Sequence, residues 1–146
     1  MRFAGICQYD GCNYSGFQSQ KNAISVQDKI ELAISSIGHL NGRINYAGRT
    51  DAGVHATHQV FDFSTSDDRA IHQWFKGINS LLPVDIAVSC IKEAPENFHS
   101  RFDAIDRTYS YVIYTGKTRP TFQSCLLYTS DAADEGLGVD LGGRRI

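Results

Sequence analysis

Ile44-Asn45-Tyr46-Ala47-Gly48-Arg49-Thr50-Asp51-Ala52-Gly53-Val54-His55-Ala56-Thr57-His58-Gln59-Val60-Phe61-Asp62-Phe63-Ser64 is the stretch on which the fold turns. Its two ends read as strands. Ile44 to Ala47 is short, and Gln59 to Ser64 places Phe61 and Phe63 on one face. Gly48 to Thr57 is a loop of small and polar residues between them. Two strands in succession, flanked by a helix on either side, form the centre of a split βαβ unit.

The flanks supply those helices. Upstream, Ser25 reads as an N-cap and Asp28 suits the first turn. Val26, Ile30, Ala33, Ile34 and Ile37 then recur at helical spacing, and Gly38 reads as the stop. Downstream, Ser66-Asp67-Asp68 can cap a second helix with the face Ile71, Trp74, Phe75 and Ile78, and Pro83 closes it. Arg2 to Tyr9 is an apolar run ended by the turn residues Asp10, Gly11 and Asn13, and Ile86 to Ile91 is another buried strand. The expected order through residue 93 is β-α-β-β-α-β. The expected fold is α+β, a ferredoxin-like lobe with an antiparallel sheet whose helices cover one face and leave the other for a ligand. Asp106 to Tyr114, with Tyr109, Tyr111 and Ile113 alternating, reads as one further strand, the first of a truncated second lobe. The expected division is residues 1–105 as the first lobe with its loop, 106–124 as the start of the second, and 125–146 as a non-native tail.

Composition narrows the classes. The 146 residues are 42% hydrophobic and 21% charged, which excludes a disordered, collagen-like or coiled-coil chain. No stretch approaches the ~20 apolar residues of a membrane span. The apolar run after Met1 is too short for a signal peptide and no cleavage site follows, so the expected location is the cytoplasm. The net charge of −2 resides in residues 125–146, and residues 1–124 balance to zero. Bulk charge therefore gives no sign of nucleic acid. Cys7, Cys12, Cys90 and Cys125 are expected as thiols, with Cys7 and Cys90 as small core residues. Neither Cys7 with Cys12 nor His55 with His58 completes a ligand set, so no metal is expected.

Chemistry concentrates in the loop. Gly48, Ala52, Gly53 and Ala56 leave room for close approach to the backbone, and Arg49 and Asp51 bracket Thr50. On spacing alone two readings stand: a guanidinium and a carboxylate poised for an anion and a nucleophilic step, or a turn in which Asp51 bonds its own backbone and pairs with Arg49.

The string Gly48-Arg49-Thr50-Asp51-Ala52-Gly53-Val54-His55-Ala56 resembles the signature of the tRNA pseudouridine synthase A family. Tyr9-Asp10-Gly11, Tyr14-Ser15-Gly16-Phe17-Gln18, Ser25-Val26-Gln27, Asn79 to Ile86, Phe98 to Phe102 and Arg107 to Tyr111 resemble other segments of it, in order, from residue 2 to about 120. Phe17 stands where the family often has Trp. The resemblance implies isomerisation of uridine to pseudouridine in the anticodon stem-loop of tRNA, without cofactor or metal. It implies Asp51 as the catalytic carboxylate, with Arg49 beside it filling the space of the flipped base or holding a phosphate. It implies Tyr109 stacked on the uracil. Arg101 and Arg107 flank that strand and could reach phosphates or be surface charges. It further implies a homodimer at full length; no membrane partner is expected, since no apolar stretch is long enough. Since the family's second lobe contributes to its cleft, the 146-residue chain by itself is expected to be inactive and weakly stable. The rival reading is a non-catalytic ferredoxin-like RNA-binding module, which would carry its aromatics on the two central strands. From Cys125 to Ile146 the sequence resembles translated sequencing adapter.

Overall fold

The computed structural model describes residues 1–118, 120 and 121, so the tail reading of 125–146 lies outside the described residues. The chain divides into two units between Ile105 and Asp106. The first contains β1 (Arg2–Tyr9), α1 (Val26–Ile37), β2 (Asn45–Tyr46), β3 (Ala56–Ser64), α2 (Ile71–Leu81) and β4 (Ile86–Ala94), with a 3-10 turn at Gly11–Asn13. The four strands form one antiparallel sheet in the order β2-β3-β1-β4. The fold is α+β.

The periodicities explain the packing. On β1, Phe3, Cys7 and Tyr9 face inward; opposite them on β3, Phe63 pairs with Phe3 and Phe61 with Gly5. Val26, Ile30, Ala33 and Ile34 of α1 and Trp74 and Ile78 of α2 close over this face. Trp74 lies 6.1 Å from the Phe3 ring and edge-on to Phe63 at 5.4 Å. Burial in this core pushes the Cys7 thiol up to about 12. β4 keeps Ile86, Val88 and Ile91 inward despite their mixed parity, because its register against β1 shifts between Ile6↔Cys90 and Cys7↔Val88. The bulge restores alternation after one extra residue. Cys90, expected in the core, is instead half-buried opposite Ile6 on the other face.

The helix ends differ in how they are made. Ser25 caps α1 as expected, its hydroxyl oxygen accepting the Asp28 N–H at 3.1 Å. Gly38 does end α1, but with a φ of −170° it is extended. Its need for glycine is spatial: a Cβ there would lie 2.5 Å from the Trp74 ring. The expected cap at Ser66-Asp67-Asp68 does not form, because α2 begins at Ile71. Asp67 accepts the His39 N–H at 2.6 Å instead, and Gln73 reaches back to the Ala70 N–H at 3.3 Å. With that later start Ile71 is exposed rather than on the core face.

Two strand expectations change as well. β3 begins at Ala56, three residues before Gln59. Residues 106–114 are exposed and form no strand. Alternation alone cannot make one: a strand needs a neighbour to take its N–H and C=O groups. Among the described residues no helix is long and apolar enough to cross a membrane.

Among the described residues, the sheet face away from the helices carries one buried charge. Asp62, fully buried between Phe61 and Phe63, accepts from Arg2 at 2.9 Å, from the Asn45 amide at 3.0 Å and from the Ser100 N–H at 2.8 Å. Arg2 also donates to the Phe98 carbonyl at 2.6 Å. Asp62 thus draws residues 98–100 onto that face, and the pairing offsets the cost of burying its carboxylate.

Candidate functional site

The loop between β2 and β3 is pinned at four places. At its entry the buried Gln59 amide clamps the Gly48 peptide, accepting its N–H at 3.1 Å and donating to its carbonyl. At Thr50 the hydroxyl meets the buried Tyr9 hydroxyl at 2.7 Å, and the carbonyl accepts the Phe17 N–H at 3.2 Å. Gly53 donates its N–H to the Tyr14 carbonyl at 3.2 Å, and Val54 closes a turn onto the Asp51 carbonyl at 3.2 Å. Gly53 has a φ of 79°, the left-handed value that the third position of a type II turn requires. At the exit, Nδ1 of His55 accepts the Gly11 N–H at 3.0 Å.

The bracing segment is Asp10 to Phe17, and its glycines explain how it comes so close. Gly16, at a φ of 86°, would place a Cβ 2.5 Å from the Thr50 carbonyl oxygen, and a Cβ on Gly11 would collide with Val54. Asp85 anchors the brace from below: it accepts from the Tyr14 hydroxyl at 2.5 Å and the Asn13 amide at 3.2 Å, and its carbonyl takes the Asp10 N–H at 2.9 Å. Burial, followed by the hydrogen bond to Asp85 and the charges of Asp85 and Asp10, raises the Tyr14 phenol well above its ordinary value. It stays protonated and donating. The Cys12 N–H, with the Cys12 side chain next and His55 adding, holds the Asp10 carboxyl below the usual carboxylate range. Between the pins Arg49, Asp51 and Ala52 remain exposed. The result is a carboxylate and a guanidinium presented on either side of a fixed threonine.

Comparison with known proteins gives this loop a lineage. The family model described as tRNA pseudouridine synthase matches residues 6–103, more than half of the chain and the whole of the loop with its brace. The chain belongs to the tRNA pseudouridine synthase family. Proteins named tRNA pseudouridine synthase A are similar to most of the chain. The one from Legionella pneumophila (strain Lens) is 48% identical over 120 residues, 82% of this chain and 46% of the relative. The one from Aeromonas hydrophila subsp. hydrophila is 51% identical over 120 residues, 82% of this chain and 45% of the relative. The one from Francisella tularensis subsp. mediasiatica is 43% identical over 128 residues, 87% of this chain and 50% of the relative. The chain spans about half the length of the curated relatives it matches.

The remaining candidates fall in different places. Arg101 is exposed in a turn where the Phe102 and Asp103 N–H groups meet the His99 carbonyl at 3.1 and 2.9 Å, and its guanidinium lies 5.9 Å from the Phe102 ring centre. Its neighbour Ser100 is tied to Asp62, two residues along β3 from the Val60 carbonyl that receives the Ala47 N–H. Those anchors are about 7 Å apart at the rise of a strand. Arg107 and Tyr109 belong to the second unit and are exposed. Sequence reasoning missed the clamp and the brace. Gln59 carried a usable signal: it shares parity with Phe61 and Phe63, so its amide must be buried and must find partners.

Proposed function

We propose that this chain is the first lobe of an enzyme that isomerises uridine to pseudouridine in the anticodon stem-loop of tRNA, with Asp51 as its catalytic residue. The observation that carries this reading is the four-point pinning that leaves Asp51 exposed at the tip of an otherwise immobilised loop. The lobe's topology is ferredoxin-like on this reading. Support comes from the β-α-β-β-α-β order and the β2-β3-β1-β4 sheet. In the reaction the N1–C1′ bond of the nucleoside breaks, the uracil turns, and C5 bonds to C1′. The C5 proton is lost and N1 gains one, so no cofactor or energy source is required.

The Asp51 carboxylate attacks the sugar or base covalently or takes a ribose proton, and either role needs it close to an extruded nucleotide. Arg49, two residues away, fills the vacated stack or holds a phosphate. Tyr109 stacks on the uracil, an interaction worth ~1–3 kcal/mol. Arg101 and Arg107 supply phosphate contacts. At full length the enzyme is a cytoplasmic homodimer.

The test starts at the source locus. It is re-sequenced across codon 124, and the product of the uninterrupted reading frame is incubated with unmodified tRNA transcripts. Pseudouridine is mapped by carbodiimide-blocked primer extension. The reading requires pseudouridine in the anticodon arm. RNA binding with no pseudouridine anywhere would instead establish the non-catalytic RNA-binding module.

A further inference from the structure

Cys12 and His55 each find partners that the sequence did not suggest. Cys7 is buried in the core and does not join Cys12. Instead Asp10, Cys12 and His55 place a carboxylate oxygen, a thiol sulfur and an imidazole nitrogen within 4.8 Å of one another. We propose that these three residues bind a thiophilic divalent cation of the zinc class.

The local chemistry supports the ligand set. Asp10 and Cys12 share the turn after β1, and the Cys12 N–H donates to Oδ1 of Asp10 at 3.0 Å, which holds both side chains on one side of the turn. His55 comes from the other segment, the end of the braced loop. Its Nδ1 accepts the Gly11 N–H at 3.0 Å and also lies 3.1 Å from Oδ1 of Asp10. The imidazole and the carboxylate are thus already drawn together, and a cation seated between them takes a lone pair from each. Ligation through Nδ1 displaces the Gly11 hydrogen bond and puts the metal in its place.

One sulfur, one nitrogen and one oxygen suit zinc, whereas magnesium and calcium prefer all-oxygen sites. Zinc bonds of about 2.0–2.3 Å put tetrahedral ligands roughly 3.3–3.8 Å apart, so side-chain rotation closes the remaining gap. Asp10 and Cys12 are exposed, which leaves the fourth position to water. The bound ion would tie the turn after β1 to the loop two residues beyond Gly53. The ion would replace the exit pin of the loop with a metal bridge between the same two segments, and the proposal does not depend on the role given to Asp51.

Cobalt(II) is the probe, because its bond to a thiolate gives a charge-transfer band in the near ultraviolet. The reduced 146-residue chain is titrated with cobalt(II) and then with zinc(II). The expected result is a saturable band at one equivalent that zinc abolishes. Cys12→Ser should lose the band, and Cys90→Ser should keep it. Asp10→Asn and His55→Gln should each weaken cobalt binding at least ~10-fold. No band up to millimolar cobalt, or a band that survives in Cys12→Ser, would overturn the proposal.

Discussion

The loop at residues 48–55 and the segment at residues 106–114 each carry a pronounced sequence pattern, and they come out as opposites. In the loop, the backbone groups of Gly48, Thr50 and Gly53 all meet partners from β3 or from the Asp10–Phe17 brace. In the segment, Tyr109, Tyr111 and Ile113 alternate as a strand would, yet all are exposed. Among the described residues, the difference is the presence of a pairing segment. Alternation states which face of a strand could be buried; only a second strand satisfies its backbone. An irregular loop becomes rigid when another segment supplies that service, and a strand-like sequence stays irregular without it.

This contrast can be broken at graded cost. The largest effect is expected at Gly16, where alanine must adopt a left-handed φ and meets the Thr50 carbonyl at 2.5 Å. Strain and overpacking together should cost about 2–4 kcal/mol in denaturant unfolding. A cost below ~0.5 kcal/mol would show that the brace is not tight. Gln59→Leu should come next. It strips both partners from the Gly48 peptide, at about 1–3 kcal/mol, and hydrogen exchange of the loop amides should accelerate while that of β1 does not. Uniform acceleration would mean that Gln59 supports the sheet rather than the loop. The smallest effect belongs to the other region: Tyr111→Ser should stay within about 0.5 kcal/mol of the parent. A larger loss would reveal a buried partner for that ring.

The same contrast shows what sequence could deliver. The start of α1 was legible because Ser25 and Asp28 act locally, and Gly38 marked its end even though what demands glycine there is the Trp74 ring across the fold. So was the inward face of β3, since Phe61 and Phe63 alternate, whereas β1 read only as an apolar run with Cys7 in the core and its inward side, Phe3, Cys7 and Tyr9, is set by its pairing. The start of α2 was not legible, because Asp67 is diverted to the His39 N–H across the fold. The bulge in β4 was invisible for the same reason: it exists only in register with β1. At the site, the string 48–56 pointed to Asp51 and Arg49. The residues that hold the loop, Tyr9, Tyr14, Gly16 and Gln59, are distant in sequence or hidden among core residues. His55 was read with His58, but its contacts are Gly11 and Asp10.

The central claim is that the pinned loop exists to present the Asp51 carboxylate. Its most direct test is turnover of Asp51→Asn in the uninterrupted enzyme on a tRNA transcript, alongside its thermal unfolding. The account predicts unfolding unchanged within about 0.5 kcal/mol, as for an exposed residue, and turnover reduced at least ~10³-fold. An Asp51→Asn enzyme that is folded and turns over within tenfold of the parent would contradict it.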